Sequence, residues 1–386
     1  MGSPMDTIYA ATCITLLVFI ASVFSVELAL SAAIIEIAVG VIAGNFLGLE
    51  SAPWMDFLAG FGGILLTFLA GAEVDPKMMR EKLKESLLIG GMSFVIPYMA
   101  AIACCRWGAG WTWNASLIAG CALSTTSLAV VYAVLVETGL TNTEIGKIIM
   151  AATFVTDFGV AMALSLTFAE YNRYTLWFIL GSAALIVLAA RWLPGVFLRY
   201  GRRVIEPEIK LLFFLLFCFM SLAKLGKGHA VLPVFILGLC LATMFREHQD
   251  LQKKLRVVAF AMITPFFFIK GGMSVSLRAI LLQWPLFLLL FGVKVAAKFI
   301  GVWPLARRYA PDHAEYTTLL MSTGLTFGTI SSLYGLQAVY IDKGQFSILV
   351  AVVIGTAIVP TFIAQRWFSP ALPEAEELMA REEESS

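Results

Sequence analysis

Asp157 is the residue whose placement most constrains the chemistry of this chain. It sits in Thr153-Phe154-Val155-Thr156-Asp157-Phe158-Gly159, midway along an apolar segment at 144–168. A charge at the centre of a bilayer costs about 2.5–3.5 kcal/mol on insertion scales, so each one needs a partner or a function. A carboxylate there can hold either a proton or a bare monovalent cation. Competition for one pair of oxygens is the minimum chemistry for exchange. Few other charges lie as deep: Glu36, Lys270, Lys294 and Lys298. Lys298 falls well inside its segment, and Lys294 precedes it by one helical turn on the same face. A buried lysine needs an anion, and Asp157 is the one aspartate at that depth, so Lys298 is its expected partner. Lys294 is either the alternative partner or a side chain that snorkels toward an interface. Glu36 reads equally as a functional group or as one paired with a helix end. Lys270 reads as a cavity-lining group or a link to Glu36.

Polar runs inside apolar segments are the second chemical signal. One segment carries Leu123-Ser124-Thr125-Thr126-Ser127, and another carries Ser322-Thr323-Gly324-Leu325-Thr326-Phe327-Gly328-Thr329. Hydroxyl side chains compete with the helical hydrogen-bond ladder, and glycine loosens it. Matched breaks in the two halves of a membrane protein point to a midplane binding site. Taken singly, such runs also serve helix packing through small residues.

The elements that must position these groups follow from composition. Of the 386 residues 60% are hydrophobic and 14% charged, where a soluble chain is nearer one half and one quarter. About thirteen apolar runs of some 20 residues can be counted, each long enough to span a bilayer as a helix. They lie near 7–26, 28–49, 53–72, 84–105, 114–137, 144–168, 173–193, 209–226, 228–245, 256–277, 281–305, 315–338 and 346–368. The fold class expected is therefore an all-α polytopic membrane protein of about 13 transmembrane helices. Thirteen divides as six, a linker at 173–193 and six, which makes an inverted six-helix repeat. The two polar runs then fall in the fifth and twelfth spans, giving two discontinuous helices. Lysine and arginine fall on one side of these spans about three times as often as on the other, which places the N-terminus out and the C-terminus in. The stretch 369–386 reads as an acidic cytoplasmic tail.

The same numbers exclude other classes. Short loops leave no room for a soluble catalytic or nucleotide-binding domain. A net charge of +1 without a basic, aromatic-interleaved cluster argues against nucleic acid. The six cysteines form no CxxC pair, and the three histidines show no metal-ligand spacing, so no cofactor is expected. An intramembrane enzyme would need paired carboxylates or a metal cluster, and Asp157 has no neighbouring acid.

These residues resemble the monovalent cation:proton antiporter family, in its Kef- and NapA-like branch. Ile34-Ile35-Glu36-Ile37-Ala38-Val39-Gly40 is similar to the family's G-E-hydrophobic-G second span. Phe68-Leu69-Ala70-Gly71-Ala72-Glu73 with Asp75 is similar to its F-L-x-G-x-E-x-D stretch. Ser124 to Ser127 and Glu137-Thr138-Gly139-Leu140 match the S-x-T-S and L-x-E-x-G-L patterns. Where the family usually carries Asp-Asp or Asn-Asp, this chain has Thr156-Asp157, so only the second aspartate carries over. The resemblance implies exchange of Na⁺ or K⁺ for H⁺ at Asp157, with Thr126, Ser127 and Thr156 as cation ligands. Lys298 matches the family's basic position, and Lys294, Glu36, Lys270, Thr323 and Thr326 stand as possible supporting residues. Further implied are the inverted-repeat NhaA-like antiporter fold, a homodimer in membrane lipid, and the bacterial inner membrane. Segments 84–168 and 281–368 would form a mobile transport core. Segments 7–72 and 209–277 would form the scaffold and dimerisation helices. The fused nucleotide-binding domain of Kef-type members is not expected, since the chain stops soon after its last span. Because threonine replaces a second carboxylate, exchange is expected to be one-for-one and electroneutral. The alternative is a sodium-coupled organic-anion symporter on a related fold.

Overall fold

The computed structural model describes residues 4–28, 31–49, 51–141, 143–168, 173–200, 206–226 and 228–370. Most of the acidic stretch at the C-terminus lies outside the described residues. Helices follow one another from end to end: α1 (Pro4–Leu28), α2 (Ala32–Asn45), α3 (Pro53–Ala72), α4 (Pro76–Glu81), α5 (Leu83–Ala103) and α6 (Trp113–Ser124). Then come α7 (Leu128–Glu137), α8 (Glu144–Thr167), α9 (Arg173–Tyr200), α10 (Pro207–Gly226), α11 (Val231–Glu247) and α12 (Gln249–Val258). The last are α13 (Thr264–Met273), α14 (Leu277–Leu282), α15 (Trp284–Tyr309), α16 (Ala314–Met321), α17 (Thr326–Gln337) and α18 (Lys343–Trp367). Ten helical segments among the described residues are long and apolar enough to cross a membrane, and α2 is a shorter apolar helix. The sequence reading counted about thirteen. The difference lies in α2, in the 17-residue α11, and in the broken pair α16 and α17.

Several starts and stops follow from local chemistry. Thr112, Thr143 and Ser276 accept hydrogen bonds from the backbone amides of Ala115, Gly146 and Ala279, capping α6, α8 and α14. Asp342 and Gln345 exchange a reciprocal pair that caps α18. At the first polar run α6 ends at Ser124 and α7 begins at Leu128. At the second, α16 ends at Met321 and α17 begins at Thr326. A break not read from the sequence separates α12 from α13, where Ala259–Ile263 forms a π-helical turn.

Packing gathers these helices into two groups. In one, α5 lies against α6, α8 and α15, and α15 and α17 lie against α18. In the other, α2 crosses α13, α3 lies between α11 and α13, and α9 packs on α10 and α11. The seam between groups runs chiefly along α8 and α11, where Phe235 stacks on Phe154 at 5.2 Å and meets Phe158 and Phe327 at 6.0 Å. The ends of α11 mark the two ends of the seam. Before it, His229 Nε2 lies 2.8 Å from Tyr334 Oη. At its far end Arg246 pairs with Asp75.

The α2–α13 crossing depends on three glycines, Gly40 and Gly44 of α2 and Gly272 of α13. A Cβ on Gly272 would collide with the Ile37 carbonyl and lie 2.9 Å from the Gly40 Cα. Gly60, by contrast, faces open space. Gly272→Ala should therefore cost about 1–3 kcal/mol through overpacking and lower the thermal midpoint in detergent. Gly60→Ala, which gains helix propensity at no steric cost, should leave that midpoint unchanged or raise it.

Candidate functional site

The site is built where the two broken helices meet. Thr125 to Ser127 run extended between α6 and α7, and Ser322 to Leu325 separate α16 from α17. Thr126 Oγ1 donates to the Met321 carbonyl at 2.9 Å, and the Ser127 amide donates to Thr323 Oγ1 at 3.3 Å. Thr323 Oγ1 donates in turn to the Leu320 carbonyl at 2.7 Å, while Ser127 Oγ accepts from the Val130 amide and caps α7. Each break thus satisfies backbone groups that the interrupted ladders leave free.

Lys298 reaches this crossing from α15 and is fully buried. Its Nζ donates to Ser93 Oγ on α5 at 2.8 Å, to the Ser124 carbonyl at 2.9 Å and to Thr126 Oγ1 at 2.9 Å. Three acceptors saturate an ammonium's three donors. The Ser124 carbonyl closes the C-terminal end of α6, where the helix dipole carries partial negative charge. The sequence reading paired Lys298 with Asp157; here the ammonium makes no direct ion pair with that carboxylate, although each feels the other's charge. Neutral oxygens of α5 and of the broken helix hold it instead.

Lys294, one turn earlier, is also fully buried, and its Nζ has no hydrogen-bond partner. It lies against Gly324: a Cβ there would run into Lys294 Nζ and come within 2.8 Å of Thr125 Oγ1. A side chain at 324 would require Lys294 and Thr125 to move from where the two breaks converge.

Asp157 projects from the middle of α8 and is 3% exposed. Its Oδ1 is buried without a hydrogen-bond partner. The neighbouring Thr156 hydroxyl faces elsewhere, bonding the Gly90 carbonyl of α5 at 3.2 Å and its own helix at Ala152 O, 3.0 Å. Asp157 borders a cavity of about 220 Å³ that Glu36, Glu73, Arg256 and Thr326 also line. Leu128 and Ala129 open α7, and Thr326 and Phe327 open α17, and all four border the same cavity. Two helix N-termini therefore bring partial positive charge toward the carboxylate.

Asp157, Glu36 and Thr326 thus meet on one cavity, and Lys298, Thr126, Ser127 and Thr323 meet at the adjoining crossing. Lys270 joins neither: it pairs with Asp56 at the start of α3, at 2.6 Å, and ties α13 to α3. Two further residues belong to the site. Glu73, directly after α3 and partly exposed, lines the cavity and faces Arg256 at 3.5 Å. Its place in the acidic stretch after α3 was the available signal. Ser93 gave none, being one hydroxyl among many in an apolar helix. Among the described residues no cluster of three or more His, Cys, Asp or Glu could hold a metal ion.

Comparison with known proteins bears on this arrangement. A family model described as sodium/hydrogen exchanger, transmembrane, matches residues 13–369. A probable Na⁺/H⁺ antiporter 3 of Methanocaldococcus jannaschii is 26% identical over 358 residues, covering 89% of this chain and 91% of that protein. The Na⁺/H⁺-K⁺ antiporter GerN of Bacillus cereus is 23% identical, covering 87% of this chain and 89% of its own length. Among solved structures, the sodium proton antiporter MjNhaP1 of Methanocaldococcus jannaschii superposes with a TM-score of 0.66. That match has 14% identity and covers 93% of this chain and 97% of the other, so the likeness is one of fold.

The Lys298 cage is testable by stability alone. Ser93→Ala should cost about 1–3 kcal/mol, because it leaves a buried ammonium one acceptor short. In a Lys298→Met background the same change should cost little. Thermal unfolding of the four proteins in detergent completes the double-mutant cycle.

Proposed function

Because the chain belongs to the transmembrane sodium/hydrogen exchanger family, we propose that Asp157 is the seat at which it exchanges a monovalent cation for a proton by alternating access. The observation that carries the assignment is geometric. Asp157 is a buried carboxylate with an unpartnered oxygen, midway along its helix, bordering a cavity that Arg256 also lines. Relatives bearing the names Na⁺/H⁺ and Na⁺/H⁺-K⁺ antiporter support Na⁺ and K⁺ as the cations. Sodium-coupled organic-anion symport has no support among them. Thr126 and Ser127 supply hydroxyl or carbonyl oxygens to the ion as it settles, and Thr323 and Thr326 support the second break. Thr156 shapes the site by fixing α8 to α5.

Lys298 has a steadier task. Held by three neutral acceptors, it stays an ammonium through the cycle and offsets the charge of Asp157 in the moment when the proton has left and the cation has not yet settled. One cation then replaces one proton, and the transport core carries the same net charge in both directions. Exchange is electroneutral and needs no cofactor.

The architecture proposed for this cycle has thirteen crossings and an inverted repeat. Its support is that helix contacts pair off under the repeat: α2 with α13 mirrors α11 with α3, and α5 with α6 mirrors α15 with α16. The group containing α5 to α8 and α14 to α18 moves as the core against the other, the scaffold, which also supplies the homodimer contact. The chain sits in the cytoplasmic membrane with the N-terminus outside, and the Glu73 mouth then faces the cytoplasm.

In proteoliposomes pulsed with Li⁺, Na⁺, K⁺ or Rb⁺, the wild type should move protons against at least Na⁺ or K⁺. Asp157→Asn should abolish that flux while keeping a wild-type melting profile, since an amide cannot trade a proton for a cation. Retained exchange in the variant removes Asp157 from the mechanism. A second measurement concerns charge. With the membrane potential clamped, the equilibrium cation gradient should not shift when the potential is changed; a shift means that net charge moves in each cycle.

A further inference from the structure

The exchange chemistry leaves one carboxylate on the cavity wall unused. Glu36, in the first turns of α2, is 3% exposed, lines the cavity opposite α8, and makes no hydrogen bond or ion pair with a described residue. A structural buried carboxylate is held by donors or by a cation of its own, and Glu36 has neither. Glu73, at the same cavity, already faces Arg256 at 3.5 Å. Lys270, the nearest candidate by sequence reading, is committed to Asp56. Glu36 is thus the carboxyl group on this wall without a partner among the described residues, and it sits among Leu66, Leu69, Ala70 and Phe268.

Its helix makes the placement informative. One turn beyond Glu36, Gly40 is locked against α13 by the crossing with Gly272, so Glu36 belongs to the group that does not carry Asp157. Asp157 from one group and Glu36 from the other face a space of about 220 Å³ that Glu73 also lines. That is too large for a bare ion and has room for a cation with part of its hydration shell. An acidic cleft with low-dielectric walls focuses its field and concentrates cations by about 10- to 1,000-fold.

We propose that Glu36 is a loading site for the monovalent cation, taking a partly hydrated ion from the Glu73 mouth and handing it to Asp157. The inference rests on Asp157 as the exchange seat. Glu36 does not travel with the core, so it serves the ion on one face of the membrane only. A residue needed merely for folding, or a ligand within the travelling site, would act on both faces alike.

Cation KM is therefore to be measured separately at each face, in everted and right-side-out vesicles, for wild type, Glu36→Gln, Glu36→Asp and Asp157→Asn. Glu36→Gln should raise KM about tenfold at the face onto which the Glu73 mouth opens, leave the other face unchanged, and keep the maximal rate. Glu36→Asp, which retains the charge, should give a smaller rise at the same face and guards against poor insertion of the amide variant. Unchanged KM at both faces, an equal rise at both, or a rise in Glu36→Asp as large as that in Glu36→Gln overturns the loading site. Exchange surviving in Asp157→Asn overturns the exchange seat itself, and with it this proposal.

Discussion

Lys298 carries its ammonium to the point where two interrupted helices touch, and its three bonds decide what the surrounding groups are free to do. A charge buried there must be compensated or it unravels the membrane interior. By accepting from Lys298, the Ser124 carbonyl closes the open end of α6, and Thr126 passes the contact on to Met321 across the crossing. Ser93 brings α5 into the same knot. The breaks are thereby held by the protein's own polar groups, which is what lets irregular backbone persist at membrane depth.

With the ammonium satisfied by neutral oxygens, Asp157 keeps an oxygen free. A direct ion pair would have filled that oxygen and made the entering cation compete with a lysine. The present arrangement keeps Lys298 close enough to offset charge and leaves the carboxylate facing the cavity. The starts of α7 and α17 at that cavity add partial positive charge toward the same carboxylate. Lys294 against Gly324 shows how close the packing is: one added methyl group at residue 324 would displace the Lys294 ammonium and the Thr125 hydroxyl.

Much of this was legible in the sequence, and the limits have physical causes. Apolar length and the depth of Asp157 follow from counting residues at a fixed rise per residue, and the polar runs at Ser124 to Ser127 and Ser322 to Thr329 marked both breaks. Depth does not give rotation about a helix axis or the reach of a long side chain. Lys298 was therefore placed at the right level but assigned the aspartate rather than Ser93, Ser124 and Thr126. Lys270 was left between two roles because its partner, Asp56, opens α3 and reads as a surface residue. Glu73 follows the last residue of α3, a position that suggests water; only tertiary packing turns it onto the cavity. The count of spans blurred where helices are short or interrupted, as in α2 and in α16 with α17.

The central claim is that one carboxyl group, Asp157, gives up its proton as the cation arrives. Infrared difference spectroscopy of the purified protein, recorded at a pH where the site is proton-loaded and before and after adding Na⁺ or K⁺, addresses it directly. The account predicts loss of a protonated-carboxyl band with matching gain of carboxylate absorption, and no such pair of changes in Asp157→Asn. An unchanged carboxyl band in a wild-type protein that binds the cation, or the same loss in the variant, would contradict it.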